Sequence, residues 1–310
     1  MTIEHACKRL VSKPWGVLDS AAWGVSGCGA NPIGEIWYER PGRPETLPAL
    51  LLKLLLSSKP LSIQVHPNDA QADAMGLPNG KTEAWYVVSA EPGSQVAIGL
   101  TRPLSADELG QAIQDCTIQK LVVWRTVAEG DVIFVPAGTI HAIGAGLVIA
   151  EIQQRSDTTF RLFDHGRQRD LHVAQAVAVA DRGPAQTQAP TCHLGEERSV
   201  LVSDPHFVLE RIDLPPRTSW RMEAQAETWL LMLDGDATID TQAVSRGDAL
   251  FAQVADLGIR AGDHGLSALV AYGLSKPTQD LLRRQKDKRR PWEPRPQFLA
   301  PCRRARITNG

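Results

Sequence analysis

Two side chains able to hold a metal ion, Gln64 and His66, lie within Leu61-Ser62-Ile63-Gln64-Val65-His66-Pro67. A strand alternates its side chains between faces, so a spacing of two places both on one side. Lys81-Thr82-Glu83-Ala84-Trp85 repeats the arrangement, with Lys81 and Glu83 sharing a face. A third stretch, running from Gly130 through Pro136-Ala137-Gly138-Thr139-Ile140, ends a strand in a Pro/Gly turn and then presents His141. Two imidazoles, one carboxylate and one carboxamide oxygen suit a borderline divalent ion such as Zn²⁺, which accepts N and O donors and needs no redox chemistry. Taken singly, each histidine reads as an ordinary core or surface residue. The joint occurrence of four potential ligands on spaced stretches is what points to a metal.

The elements that must position these residues are mainly strands. From Leu50 to Gly273 the chain runs in short apolar or alternating segments separated by Gly, Pro, Asn and Asp, the pattern of an all-β sandwich or barrel. Leu61 to Val65, Ala84 to Val88, Gln95 to Leu100, Asp131 to Val135 and Gly146 to Gln153 read as strands. Helix is sparse; the clearest begins at Ser105, where Glu108 completes a capping box, and should run to about Cys116. The stretch Asp181 to Pro190 is poor in apolar residues and holds two prolines, which marks a connector. Strand-like runs resume at Val200 to Val202, Phe207 to Leu214, Thr228 to Leu233 and Leu266 to Tyr272. Glu129-Gly-Asp-Val-Ile-Phe134 is echoed by Arg246-Gly-Asp-Ala-Leu-Phe251, which suggests a duplicated barrel. The expected division is a metal-bearing module over 1–180, a second, metal-free module over 191–275, and a basic mobile tail over 283–310.

The metal-ligand stretches match the two signatures of the cupin superfamily, in which a His and a carboxylate from the first block and a His from the second converge inside a small jelly-roll barrel. The spacing of Gly130, Pro136, Gly138 and His141 follows that pattern, whereas the usual His-x-His appears here as Gln64-x-His66. Four longer phrases narrow the resemblance: Pro60 to Asp69, Lys81 to Tyr86, Pro136 to His141, and Glu151 to Arg161. Together they resemble the type I mannose-6-phosphate isomerase family, in its short bacterial form. The likeness implies two cupin-type barrels with a few short helices, and interconversion of mannose 6-phosphate and fructose 6-phosphate through a metal-stabilised enediolate. It implies one Zn²⁺ per chain on Gln64, His66, Glu83 and His141, with Arg161 as a catalytic cation. Lys81 and Glu151 fall on active-site positions, and either could be the general base. Phe160 and Phe163 stand where the family often has Tyr, and Ile36 where it often has Ser, which bears on how substrate is oriented. Another cupin enzyme, an oxygenase or a different sugar isomerase, and a sugar-phosphate binding module without turnover are the competing readings.

Composition bounds the rest. With 310 residues and 43% hydrophobic content the chain can bury a large core, which excludes disorder throughout. The longest apolar run, Leu47 to Leu56, is interrupted by Lys53 and is about half of the ~20 residues a membrane span needs. Met1 to Lys13 lacks the parts of a secretion signal, and five scattered cysteines form no knuckle or disulfide framework, so a cytoplasmic protein with free thiols is expected. Residues 283–310 carry a net +8 and the remainder −10, and an acidic body argues against nucleic acid as a partner. The expected partner is a small hexose phosphate, with no membrane and no nucleic acid; oligomeric state is not legible, and a monomer is compatible with the sequence. His5, His165, His172, His193, His206 and His264 match no ligand position and read as structural or exposed.

Overall fold

Leu50-Leu-Leu-Lys-Leu-Leu-Leu-Ser57 forms a strand in which all eight residues are buried. A strand so apolar on both faces needs packing partners on both. The computed structural model that supplies them describes residues 2–25, 31–42 and 47–285. Its first strands are β1 (Thr2–His5), β2 (Cys7–Val17), β3 (Ile33–Glu39), β4 (Leu50–Ser57), β5 (Ile63–Val65) and β6 (Glu83–Ala90). They are followed by β7 (Gln95–Leu100), β8 (Val122–Thr126), β9 (Val132–Val135), β10 (His141–Ile143), β11 (Leu147–Gln154) and β12 (Phe160–Phe163). Three short helices interrupt them: α1 (Asp69–Ala74), α2 (Ala106–Gln114) and α3 (Val173–Val179). Ser105 caps α2 through the reciprocal bonds with Glu108 that the sequence calls for.

Two antiparallel sheets face each other, one ordered β2-β3-β4-β11-β6-β9 and the other β12-β5-β10-β7-β8. Between them lie Leu55, Trp85, Val87 and Ile149 from the first sheet and Val96 and Ile143 from the second. This is the mainly β arrangement that the alternating pattern predicts, in the jelly-roll form that the family resemblance implies. Helices α2 and α3 cover the outer side of the second sheet, where Leu109, Ile113, Ala176 and Val179 meet Ile63, Val65 and Ala142.

The other side of the first sheet is buried by the second module. Its strands are β13 (Cys192–His193), β14 (Arg198–Ser203), β15 (Val208–Leu214), β16 (Ser219–Ile239), β17 (Gln242–Ser245), β18 (Ala249–Tyr272) and β19 (Leu282–Gln285). Strands β16 and β18 are long and bent: Thr228 pairs with both Ala252 and Tyr272, so β18 runs along both edges of β16 and the sheet curls into a barrel. The sequence pattern marks only fragments of these strands, Thr228 to Leu233 of β16 and Leu266 to Tyr272 of β18, and Gly235, Gly258, Gly262 and Gly265 interrupt or flank it. These glycines are bends inside continuous ladders. Leu50, Leu52, Leu54 and Leu56 join Leu209, Trp229, Phe251 and Leu269 in one core shared by the two modules. Tyr38 Oη donates to the Gly247 carbonyl at 2.9 Å across that boundary.

The sequence echo is a repeated turn. Gly130 and Gly247 both adopt positive φ, 90° and 83°. Asp131 accepts from the Ala128 amide at 2.9 Å and Asp248 from the Ser245 amide at 3.0 Å, three residues back in each case.

Two boundaries differ from expectation. Strand β1 pairs with β18, so the first residues of the chain join the second module's sheet. Leu282–Gln285, where the basic tail was expected to begin, is a strand on the edge of β16; the rest of that expected tail, 286–310, lies outside the described residues. Residues Asp181 to Pro190 form an irregular connector, as their composition requires, touching β7 through a bridge between Gly99 and Pro184.

Candidate metal centre and active site

Alternation on the first sheet decides which side chains enter the barrel. On β4, Leu52 and Leu54 face the second module, and Lys53 between them therefore faces inward. On β11 and β6 the same rule turns Ala150 and Ile152, and Ala84 and Tyr86, outward, and Glu151, Glu83 and Trp85 inward. Register then sets Trp37, Lys53, Glu151 and Trp85 side by side across four strands. On the opposite sheet Gln64 pairs with His141 on one side and with Arg161 on the other.

His66, Glu83 and His141 bring one ligand atom each to within 4.8 Å of one another, and all three are buried. His141 Nε2 lies 3.3 Å from Glu83 Oε1, and His66 Nε2 lies 3.6 Å from Glu83 Oε2. The far nitrogens are tied to backbone, His66 Nδ1 to the Thr158 carbonyl and His141 Nδ1 to the Thr139 carbonyl, both at 2.8 Å. Those carbonyls require N–H at Nδ1, which leaves the Nε2 lone pairs aimed inward. Burial, with Lys81 and His141 nearby, holds His66 far below the usual imidazole range. Burial, relieved in part by the Thr139 bond, pushes His141 down to about 4. Both rings are thus neutral at neutral pH.

Gln64 places its carboxamide 3.2 Å from His141 Nε2, with Oε1 accepting from Ser62 Oγ at 3.2 Å. A half turn of the terminal torsion exchanges its N and O, so the amide oxygen can face the same point. Both Glu83 oxygens are buried with no hydrogen-bond donor. Lys81 Nζ is 2.6 Å from Glu83 Oε2, a close charge contact without hydrogen-bond alignment. A buried carboxylate lacking aligned donors, facing two neutral imidazoles, fits a divalent cation as the missing partner.

Beside this group opens a cavity of about 160 Å³, lined among others by Lys13, Glu35, Lys53, Gln64, Lys81, Glu151 and Arg161. Trp85 Nε1 donates to Glu151 Oε1 at 3.1 Å, and Lys53 Nζ approaches Glu151 Oε2 at 3.6 Å. Burial and the neighbouring Glu83 raise the Glu151 carboxyl above the ordinary range, although Lys81 and Lys53 act the other way. Burial opposes the charge on Lys81, but Glu83 and Glu151 outweigh it and hold the ammonium well above its usual range. Burial lowers Lys53, with Glu151 opposing. Arg161 Nη1 donates to the Asp170 carbonyl at 3.0 Å. Its amide donates to His172 Nδ1 at 3.1 Å, so His172 supports the strand.

Of the seven residues singled out in the sequence, Gln64, Lys81, Glu151 and Arg161 line the cavity, and His66, Glu83 and His141 form the buried group beside it. Phe160 packs with the helices, and Phe163 lies against the same cluster with His165 at 4.9 Å. Ile36 faces the second module. These departures therefore lie on packing faces. Lys53 and Trp85 are the residues missed by sequence reasoning. The signal for Lys53 was present, a lone cation in a leucine run, and that for Trp85 was its spacing of two from Glu83.

No protein-family model matches the chain. It is 42% identical over 168 residues to a mannose-6-phosphate isomerase of Streptococcus mutans, covering 52% of this chain and 53% of that protein. It is 37% identical over 161 residues to one of Bacillus subtilis, covering 50% of each. The matches thus span about half the length of these curated relatives. The crystal structure of a Bacillus subtilis mannose 6-phosphate isomerase superposes with a TM-score of 0.75, covering 88% of this chain and 100% of that one at 22% identity. The apo enzyme of Salmonella typhimurium gives 0.69, covering 88% and 100% at 14% identity. The chain is thus a sequence relative of the mannose-6-phosphate isomerases over half its length, and it shares the fold of these solved structures over 88% of it.

Proposed function

We propose that this relative of the mannose-6-phosphate isomerases is itself an aldose–ketose isomerase, acting on mannose 6-phosphate and fructose 6-phosphate with one Zn²⁺ per chain. The observation that carries the reading is the Glu83 carboxylate, buried between two neutral imidazoles and beside a cavity walled by Lys81, Glu151 and Arg161. Gln64, His66, Glu83 and His141 would hold the ion. Bound there, Zn²⁺ supplies Lewis-acid polarisation of the sugar oxygens.

The reaction moves one proton between C1 and C2 and another between their oxygens, by way of an enediolate. Glu151 is the better general base of the two candidates. Its pKa is raised toward neutrality, and the Trp85 bond to Oε1 leaves Oε2 to take the proton. Lys81 is held as an ammonium by Glu83, which suits it to donate toward oxygen and not to abstract from carbon. Arg161, at the cavity wall, places a permanent cation where oxyanion charge develops or phosphate binds. The metal-bearing unit in this reading is 1–180 and the supporting unit 191–275, with β1 crossing to the latter. Among the described residues Cys7, Cys116 and Cys192 are exposed free thiols, which is compatible with a reducing, cytoplasmic setting.

The decisive experiment is metal analysis of purified protein coupled to isomerase turnover and to exchange of the C2 proton of mannose 6-phosphate with solvent. One zinc per chain, with activity removed by a chelator and restored by Zn²⁺, is the expected result. Binding of the sugar phosphate without C2 exchange would leave a non-catalytic module.

A further inference from the structure

The second module reaches the segments around the metal centre through an imidazole set between two carboxylates. His206 lies in the turn between β14 and β15, with Nδ1 2.6 Å from Asp204 Oδ1 and Nε2 3.1 Å from Asp69 Oδ2. A ring satisfies two carboxylate oxygens at once only as imidazolium, donating from both nitrogens. Asp69 is the first residue of α1, three beyond His66. Its other oxygen accepts from the Gly80 amide at 2.7 Å and from Gln154 Nε2 at 2.9 Å. Gln154 Oε1 in turn accepts from the Thr82 amide at 2.9 Å. The chain of bonds therefore starts in one module and ends on both sides of Lys81 in the other.

We propose that His206 is a positioning residue: through Asp69 and Gln154 it lets the second module fix the segments that carry His66, Lys81 and Glu83. The consequence for metal binding rests on the functional reading above; the mechanical link does not. Among the described residues, the charged groups bearing on His206 are Asp204 from its own turn and Asp69 from α1. Burial lowers the imidazole pKa, but the bonds from these two carboxylates outweigh it and the net shift is upward. The link is therefore at full strength below the ordinary histidine range and is lost as pH rises through the elevated value. The side chains of both partners are partly exposed, so solvent screening keeps the effect small, about two- to fivefold on a local equilibrium.

Amide hydrogen exchange on the full chain, metal-free, tests this directly. His206→Asn and Asp69→Asn should each speed exchange at Gly80 and Thr82 about two- to fivefold while the core amides of Leu54 and Ile149 stay unchanged. The double variant should add little to either single one. The difference between wild type and His206→Asn should vanish at alkaline pH, and the zinc Kd of His206→Asn should rise by a similar factor below it. Unchanged exchange at Gly80 and Thr82 in His206→Asn overturns the proposal, whatever Asp69→Asn does, because Asp69 bonds the Gly80 amide directly. A wild-type protein that binds no zinc overturns the metal-centre reading instead, and the exchange result still decides the role of His206.

Discussion

Glu83 is the residue on which the site turns, because its carboxylate is fully buried, with Lys81 beside it and two imidazoles facing it. Glu83→Gln removes the charge and keeps the shape. It should lose stoichiometric zinc by metal analysis and, with Lys81 left unpaired in the interior, cost about 3 kcal/mol in denaturant unfolding. Arg161→Ala should keep zinc and fold but lower kcat roughly 10²- to 10³-fold, the scale of one preorganised electrostatic donor. Turnover near the wild-type rate would remove Arg161 from the mechanism. His141 gives a pH test on the metal-free protein. Its folded-state pKa of about 4 lies below the ordinary 6.5, so the unfolded chain takes up the proton first. Stability should fall as pH drops from 6.5 toward 4, by about 3 kcal/mol from this ring. His141→Gln should flatten that decline in thermal melts across the same range. The donor types and their spacing were legible at this scale. The tuning by Lys53 and Trp85 was not, since it depends on cross-strand register.

At the scale of elements, the strands that carry Gln64, Glu83 and Glu151 were read within a residue or two of their observed ends, whereas β10, which begins at His141, was read only as the segment after a turn. The turn before β10 shows why glycine stands at 138. Its φ is +90°, and a Cβ there would meet Asp181 Oδ2 at 2.8 Å. Gly138→Ala should therefore strain the turn that delivers His141, costing about 1–3 kcal/mol and weakening zinc binding, as a thermal melt and a zinc titration will show. Strands β16 and β18 were legible only in fragments. A glycine that permits a bend within a ladder and one that ends a strand are the same letter, and only the partner strand distinguishes them.

At the scale of the molecule, the shared core of Leu54, Trp229, Phe251 and their neighbours makes the two modules one packing problem. Trp229→Ala should cost about 3–5 kcal/mol. Calorimetry of the wild type should show a single cooperative transition, because separating the modules exposes both faces of that core. Two well-resolved transitions would mean that the interface contributes little.

The sequence by itself determined the β class and the sharing of one strand face by Gln64 with His66 and by Lys81 with Glu83, since alternation is a local property of the chain. Only the tertiary structure decided that β1 joins the far module, that Lys53 stands beside Glu151, and that Asp69 meets His206. Each of these depends on which segments distant in sequence become neighbours, and that is settled by register and sheet order, which no single stretch of residues encodes.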